Sequence, residues 1–177
     1  MKTLFTILFL YFIAVSLCSC PYSSPYKLDD DPNMNIEEDL LGKWATFIKK
    51  GGTDREEPIK LILSKKTESE YNIAFTGYLD ELKPFDIIKG DSIKGSAFMS
   101  VVGDKQFLNI TIKSKVYIAE LKYKDNKLSL LPLVEHFTSK MIFNNTALRN
   151  SVEFHCKTRV RPMYDDEFCL KDMVKVN

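Results

Sequence analysis

Histidine and cysteine, on which many catalytic and metal sites depend, are scarce in this sequence. It contains two histidines and four cysteines among 177 residues. Ser92 follows Gly90-Asp91, but neither His136 nor His155 has an aspartate three residues before it to complete a base for a serine nucleophile. Adjacent His155 and Cys156 do not give the paired spacing of structural zinc ligands. We therefore expect no catalytic residue, no metal site and no cofactor, and we expect that the protein is not an enzyme.

An excess of charge of either sign is also missing. The chain has 25 basic and 24 acidic residues. Lys2 is the only charged residue before Cys20, so the chain from Cys20 onward has equal numbers of the two. Domains that bind nucleic acids need a basic surface, because phosphate contacts supply most of their affinity. We therefore expect no nucleic-acid partner.

The long apolar run near the start is too short to cross a bilayer. It extends from Leu4 to Leu17 and is interrupted by Thr6 and Ser16. A spanning helix needs about 20 apolar residues, whereas the apolar core of a signal peptide has roughly 7–15. With the positive charge of Lys2 in front of it, this run predicts a signal peptide over residues 1–19.

The four residues at the end of this run are Leu17-Cys18-Ser19-Cys20, and they resemble the lipobox of bacterial lipoproteins. The resemblance implies that signal peptidase II cuts before Cys20, that its thiol receives a diacylglyceryl group, and that the new N-terminus is acylated, as with palmitate. Two or more acyl chains anchor a protein durably. The protein is then expected on the cell membrane or outer membrane, facing the periplasm or the cell surface. An ordinary secretory signal with a chance cysteine is the alternative.

Residues 20–35 are predicted to form a lipidated tether. Between Pro21 and Asn35 there are three prolines, two serines and the acidic triplet Asp29-Asp30-Asp31. Such a composition is typical of a linker. The triplet lacks the alternating ligands and the glycine of a calcium-binding loop, and is expected to be solvated. Residues 36–177 then form one domain, which is an ordinary length for a single core.

Two cysteines remain for the domain of an exported protein, Cys156 and Cys169. Export to an oxidising compartment favours a disulfide between them, which would stabilise the fold by about 3 kcal/mol in the chain-entropy model. Two separately buried thiols are the alternative, because spacing alone does not show that the two side chains can meet.

Most of the remaining sequence shows the period-two alternation of half-buried strands. It is clearest at residues 59–63, 71–79, 108–112 and 117–123, and a closing strand is expected within residues 167–176. Gly103-Asp104 and Asp125-Asn126 suit tight hairpin turns. Short helical structure is expected at 36–41, and a late helix at 146–157 behind an Asn145 or Thr146 cap. The fold class is therefore mainly β, an antiparallel meander with a short N-terminal helical turn and one late helix.

Leu40-Leu41-Gly42-Lys43-Trp44 resembles the Gly-x-Trp segment that opens the first strand of lipocalins and lipocalin-like domains. The resemblance implies a lipocalin-like barrel or half-barrel with Trp44 closing one end. The Thr-Asp-x-Tyr segment of the second lipocalin motif is missing, and the alternative for Trp44 is a single large core aromatic. The lipobox, tether and Gly-x-Trp domain together resemble small uncharacterised lipoproteins of Bacteroidetes-type bacteria.

These observations favour a membrane-anchored envelope lipoprotein that acts as a binding module for a small apolar ligand. Small antiparallel barrels can enclose one such molecule. The alternative is a ligand-free structural or protein-interaction lipoprotein, with an envelope protein as its partner. The candidate lining residues share an expected inward orientation in the barrel: Trp44, Phe75, Tyr78, Phe98, Leu108, Ile110, Tyr117 and Leu121.

Overall fold

The computed structural model describes residues 21–49, 56–77, 92–164, 166 and 168–176. The predicted signal peptide and Cys20 lie outside these residues. The strands are β1 (Ser23–Ser24), β2 (Gly42–Lys49), β3 (Glu56–Lys65), β4 (Tyr71–Gly77), β5 (Ser92–Val102), β6 (Lys105–Ile112), β7 (Lys115–Lys124), β8 (Lys127–Pro132) and β9 (Leu170–Val176). A 3-10 turn covers Glu38–Leu40, and helix α1 covers Asn145–Thr158.

Strands β2 to β9 form a closed antiparallel barrel. Each strand pairs with the next one along the chain, and β9 pairs with both β8 and β2, where Trp44 lies opposite Lys175. β1 is an additional strand that pairs with the beginning of β7, with Ser23 opposite Tyr117. The predicted fold class is confirmed: the protein is mainly β, the barrel is closed, and the one helix of the described chain comes late.

The hairpin turns have the backbone that their sequences predict. Gly103 has a φ of 65° between β5 and β6. Asp125 and Asn126 have φ values of 53° and 59° between β7 and β8, as a type I′ turn requires. Lys113, with a φ of 55° between β6 and β7, lies at a turn that its sequence does not signal.

Helix α1 begins one residue before the predicted start. Its N-cap is Asn144, whose side-chain oxygen accepts a hydrogen bond from the Ala147 amide at 2.7 Å. Asn145, one of the two predicted caps, instead contacts the chain before the barrel: its side-chain oxygen accepts a hydrogen bond from the Lys27 amide. The helix ends at Thr158. The next residue, Arg159, has the left-handed conformation, and its amide donates a hydrogen bond to the His155 carbonyl.

Two apolar clusters lie on opposite faces of the barrel wall. The interior cluster contains inward side chains of the barrel strands, such as Leu108 and Ile110 of β6. The outer cluster lies between the wall and α1, and includes Phe107 and Ile118 of the wall and Val152 of α1. Strands β5 to β7 are therefore buried on both faces, which their sequence alternation alone does not predict.

The segment predicted as a tether packs against the barrel from its first described residue. Pro21 forms a β-bridge with Val134, and Leu28 is 2% exposed within the outer cluster. Asp29 is ion-paired with Arg149 of α1 at 2.6 Å. The acidic triplet is therefore not merely solvated: it helps to fasten residues 21–31, called here the N-terminal segment, to the helix.

The predicted disulfide is wrong for this structure, since no bond joins Cys156 to Cys169. Cys156 packs against the outer cluster from α1. Cys169 is buried immediately before β9, whose first residue, Leu170, belongs to the interior cluster. The two cysteines are thus held by different parts of the fold.

No helix in the described ranges is long and apolar enough to cross a membrane.

Candidate ligand site in the barrel

Trp44 closes one end of the barrel, called here the plugged end. Its side chain is completely buried, and its indole nitrogen donates a hydrogen bond to the Leu40 carbonyl at 2.8 Å. The Tyr123 ring meets it edge-on at 5.9 Å, and the Lys175 ammonium lies 5.3 Å from the ring centroid. The 3-10 turn fits over this end because Leu40 is also fully buried. Trp44 therefore has both a packing role and a hydrogen-bonding role.

A second hydrogen bond fastens the chain over the plugged end. The Tyr71 hydroxyl accepts a hydrogen bond from the Glu37 amide at 2.7 Å. Burial is the main cause that raises the pKa of the Tyr71 phenol. This hydroxyl therefore stays neutral under ordinary conditions.

The middle of the barrel is apolar and well filled. Leu108, Ile110 and Leu121 are between 1% and 3% exposed and belong to the interior cluster, as predicted for lining residues. In this part of the barrel the side chains themselves occupy the space, so a bound molecule would have to lie elsewhere along the axis.

Phe75 and Tyr117 mark the opposite end, called here the far end. Trp44 and Phe75 both lie opposite Leu61 of β3, and the tilt of the strands in the barrel carries Phe75 toward the end where β2 and β4 finish. Tyr117 lies near the beginning of β7, a strand of the opposite direction. Both side chains pack against the interior cluster but keep partial exposure, and so does Ile48 at the end of β2.

The Tyr117 phenol is a polar group among the described residues of the predicted lining. Burial raises the pKa of Tyr117, so the phenol is neutral around pH 7. A neutral phenol can donate a hydrogen bond to a ligand and accept one from it. The far end thus combines apolar side chains with one polar group, which is the usual chemistry of a small-ligand site.

One predicted lining residue, Phe98, does not face the interior. Phe98 lies between the inward residues Ala97 and Met99, so its side chain points to the outer face. There the Lys27 ammonium lies 5.6 Å from its ring centroid. The predicted inward orientation of Phe98 is therefore wrong. Tyr78 lies outside the described residues.

A buried polar cluster on the outer face was missed by sequence reasoning. Asn109 is completely buried, and its side-chain oxygen accepts a hydrogen bond from the Leu28 amide at 2.7 Å. Its side-chain nitrogen donates to the Ser100 hydroxyl at 2.8 Å and, more weakly, to the Phe98 carbonyl at 3.4 Å. A polar residue between Leu108 and Ile110 was the available signal, but it reads equally well as a solvent-facing position.

Glu120 forms a second buried polar group on the outer face. It is 3% exposed, and its carboxylate lies 2.9 Å from the Lys105 ammonium and 3.5 Å from that of Lys122. Lys105 also donates a hydrogen bond to the Tyr164 hydroxyl at 2.9 Å. The charge of Glu120 is therefore paired, as a buried charge requires.

His155 lies on the buried side of α1, and one of its ring nitrogens has no hydrogen-bond partner. It is 6% exposed, and its Nδ1 has no hydrogen-bond partner. The rings of Phe137 and Phe154 contact it edge-on at 5.7 Å and 5.4 Å. Burial, followed by the charges of Arg161 and Lys140, lowers the pKa of His155. The imidazole is therefore neutral in the folded protein at pH 7.

In the described ranges, no three His, Cys, Asp or Glu side chains form a group that could hold a metal ion. Comparison with known protein families, curated proteins and solved structures found no match to the chain. The likeness to lipobox lipoproteins and lipocalins therefore stays a prediction from Leu17–Cys20 and Gly42–Trp44. What the described site offers is an apolar enclosure with one closed end.

Proposed function

We propose that this protein is an envelope lipoprotein, anchored through acylated Cys20, whose barrel binds a small apolar ligand at its far end. The observation that carries the ligand proposal is the difference between the two ends. Trp44 is fully buried at one end, whereas Phe75 and Tyr117 are partly exposed at the other. A closed barrel of this kind is compatible with a binding module.

The ligand is expected to be small and to bind near the far end. Leu108 and Leu121 already fill the middle of the barrel. Phe75, Tyr117 and Ile48 would contact the apolar body of the ligand, and the Tyr117 hydroxyl would bind a single polar group. A molecule with one polar end and a short apolar body fits this arrangement.

Ligand binding is tested with the purified protein in two measurements. Native mass spectrometry should show a copurifying small molecule, and an apolar fluorescent dye should bind and be displaced by it. Phe75→Ser should weaken dye binding by about tenfold, because it removes an aromatic ring from the contact surface. Phe47→Ser is the matched control, since Phe47 is 66% exposed, and it should leave binding unchanged. Equal effects of the two substitutions would rule out the far-end site.

Anchoring is tested separately through Cys20. In a bacterium that processes lipoproteins, the wild-type protein should gain the mass of its acyl groups and lose residues 1–19. Cys20→Ala should accumulate as unprocessed precursor, and Cys18→Ala should be processed normally. Normal cleavage of the Cys20→Ala precursor would contradict the lipoprotein proposal.

A ligand-free role is the second candidate, and the dense filling of the barrel interior favours it. Trp44, Leu61 and Leu128 are completely buried, as a purely structural barrel also requires. In that case the protein would act through its outer surface on an envelope protein. Absence of both a copurifying molecule and dye binding would select this role.

A further inference from the structure

Three large apolar side chains are exposed beside α1. Met141 is 85% exposed, Phe143 68% and Phe154 46%. The Lys140 ammonium lies 5.5 Å from the Phe154 ring centroid, so the chain leading to Phe143 passes next to the helix. We call Lys140, Met141, Phe143 and Phe154 the helix-side patch. Large apolar side chains that are exposed together mark interaction sites, whereas single exposed ones are ordinary.

The chain that follows Cys20 enters the structure next to this patch. The Tyr22 amide donates a hydrogen bond to the Leu133 carbonyl at 2.7 Å. The Tyr22 ring contacts Phe137 edge-on at 5.1 Å. From Phe137, the ring contacts continue through His155 to Phe154. Tyr22, two residues after the proposed lipidation site, is thus connected to the patch by three consecutive ring contacts.

The N-terminal segment is held against the barrel and α1 along its length, so it is not a flexible linker. The Leu28 amide donates to Asn109 in the barrel wall, and the Lys27 amide donates to Asn145 of α1. Asp29 is ion-paired with Arg149. A lipid on Cys20 would therefore hold this side of the barrel against the bilayer instead of suspending the domain on a flexible linker.

The charges around the patch suit an anionic surface. Lys140 lies over Phe154, and Arg161 lies close enough to act electrostatically on neighbouring His155. The nearby acidic side chains are themselves engaged: Glu153 is paired with Lys157 at 2.6 Å, Asp29 is paired with Arg149, and Asp30 accepts a hydrogen bond from Asn145. Exposed aromatic and aliphatic side chains flanked by lysine and arginine are the combination that binds the interface of anionic bilayers.

We propose that the helix-side patch docks on an anionic lipid surface, with Met141 and Phe143 inserted at the depth of the headgroups. The proposal rests on the lipidation of Cys20, because the lipid brings the patch to the membrane. Docking has a consequence for ligand entry. Since Ser23 of β1 pairs with Tyr117, the far end lies on the anchored side of the barrel, and an apolar ligand can enter from the bilayer.

The test uses the full chain, reconstituted in vesicles of phosphatidylglycerol and phosphatidylcholine that carry bromine on their acyl chains. Bromine quenches an indole only at short range, and Trp44, the one native tryptophan, is completely buried in the barrel. Phe143→Trp places a reporter in the patch. Phe47→Trp is the matched control, because Phe47 is 66% exposed on β2, which pairs with β3 and β9 and not with the strands next to β1.

The expected result is that brominated lipid reduces the emission of Phe143→Trp by about twofold relative to unbrominated lipid, while Phe47→Trp and the wild type change little. Adding Lys140→Glu to Phe143→Trp should diminish the quenching, since it reverses a charge of the patch. Equal quenching of the two reporters would overturn the proposal, because the barrel would then lie on lipid without a preferred face. No quenching of either reporter would also overturn it.

The intact mass of the same sample separates this proposal from the anchoring proposal. A chain acylated on Cys20 whose Phe143→Trp reporter is not quenched overturns docking alone. A chain without acylation whose Phe143→Trp reporter is quenched after vesicles are added overturns anchoring and supports docking. The two proposals can therefore fail independently.

Discussion

The two faces of the barrel wall are buried in different ways. The interior cluster is contributed by strands that pair with their chain neighbours. The outer cluster is covered by α1 and the N-terminal segment, and it lies next to the buried polar residues Ser100, Asn109, Glu120 and His155. Leu28 and Asn109, which join the cover to the wall, are 81 residues apart in the chain.

The interior therefore depends on packing, whereas the outer face depends on directional contacts. Apolar burial is non-directional, so the interior tolerates side chains of similar volume. A buried amide such as Asn109 must meet specific partners, because leaving them unsatisfied is costly. The polar groups of the outer face therefore fix where the N-terminal segment and α1 lie. The following substitutions test this distinction, in order of decreasing effect.

The largest effect is expected from the interior. Trp44→Ala should reduce the free energy of unfolding by about 3–5 kcal/mol, because it removes a fully buried ring and leaves a cavity at the plugged end. Denaturant titration followed by circular dichroism measures the change. Phe47→Ala, at an exposed position of the same strand, should change it by less than about 0.5 kcal/mol. A loss similar to that control would mean that Trp44 does not support the barrel.

Asn109→Ala should destabilise by about 1–3 kcal/mol, because the Leu28 amide and the Ser100 hydroxyl lose their buried partner. The same titration measures the loss, and hydrogen exchange of the Leu28 amide should accelerate more than that of the barrel amides. Asn72→Ala is the control, since Asn72 is exposed on β4. Uniform acceleration across the barrel would show that Asn109 supports the wall itself and not the cover.

Arg149→Ala should destabilise by about 1 kcal/mol or less, because its ion pair with Asp29 is partly exposed. Arg149 also donates a hydrogen bond to the Val101 carbonyl at 2.6 Å, so the loss should be local to the N-terminal segment and the end of β5. Limited proteolysis within residues 21–31 should become faster while the denaturation midpoint changes little. Unchanged proteolysis would exclude Arg149 as a fastening of the N-terminal segment.

The smallest effect is a change of pH dependence at His155. Since the folded-state pKa lies below the ordinary value of 6.5, the unfolded chain binds the proton more readily. Stability should therefore be complete above pH 6.5 and decline as the pH falls from there through the lowered pKa. Urea titrations at pH 7 and pH 5 measure the decline. His155→Phe should reduce it and exposed His136→Gln should not, whereas equal slopes in both variants would assign the decline to other groups.

Much of the barrel could be predicted from the sequence because its signals are local. Alternation at residues 108–112 and 117–123 reports which side chains face inward, and Asp125-Asn126 reports a turn through its own backbone preference. The same alternation, read strictly, would have excluded Phe98 from the lining. The role of Asn109 could not be predicted, since its partner Leu28 belongs to a segment whose composition indicates a linker.

Local signals in the sequence suffice for the antiparallel meander, the helical turn before Trp44 and the late helix. Hairpin pairing joins chain neighbours, so period-two patterns and turn residues suffice for these features. Long-range contacts decided that β9 pairs with β2 to close the barrel, that residues 21–31 belong to the packed domain, that no bond joins Cys156 to Cys169, and that ring contacts connect the entering chain to the helix-side patch. Those features depend on contacts between distant segments, for which local patterns contain no signal.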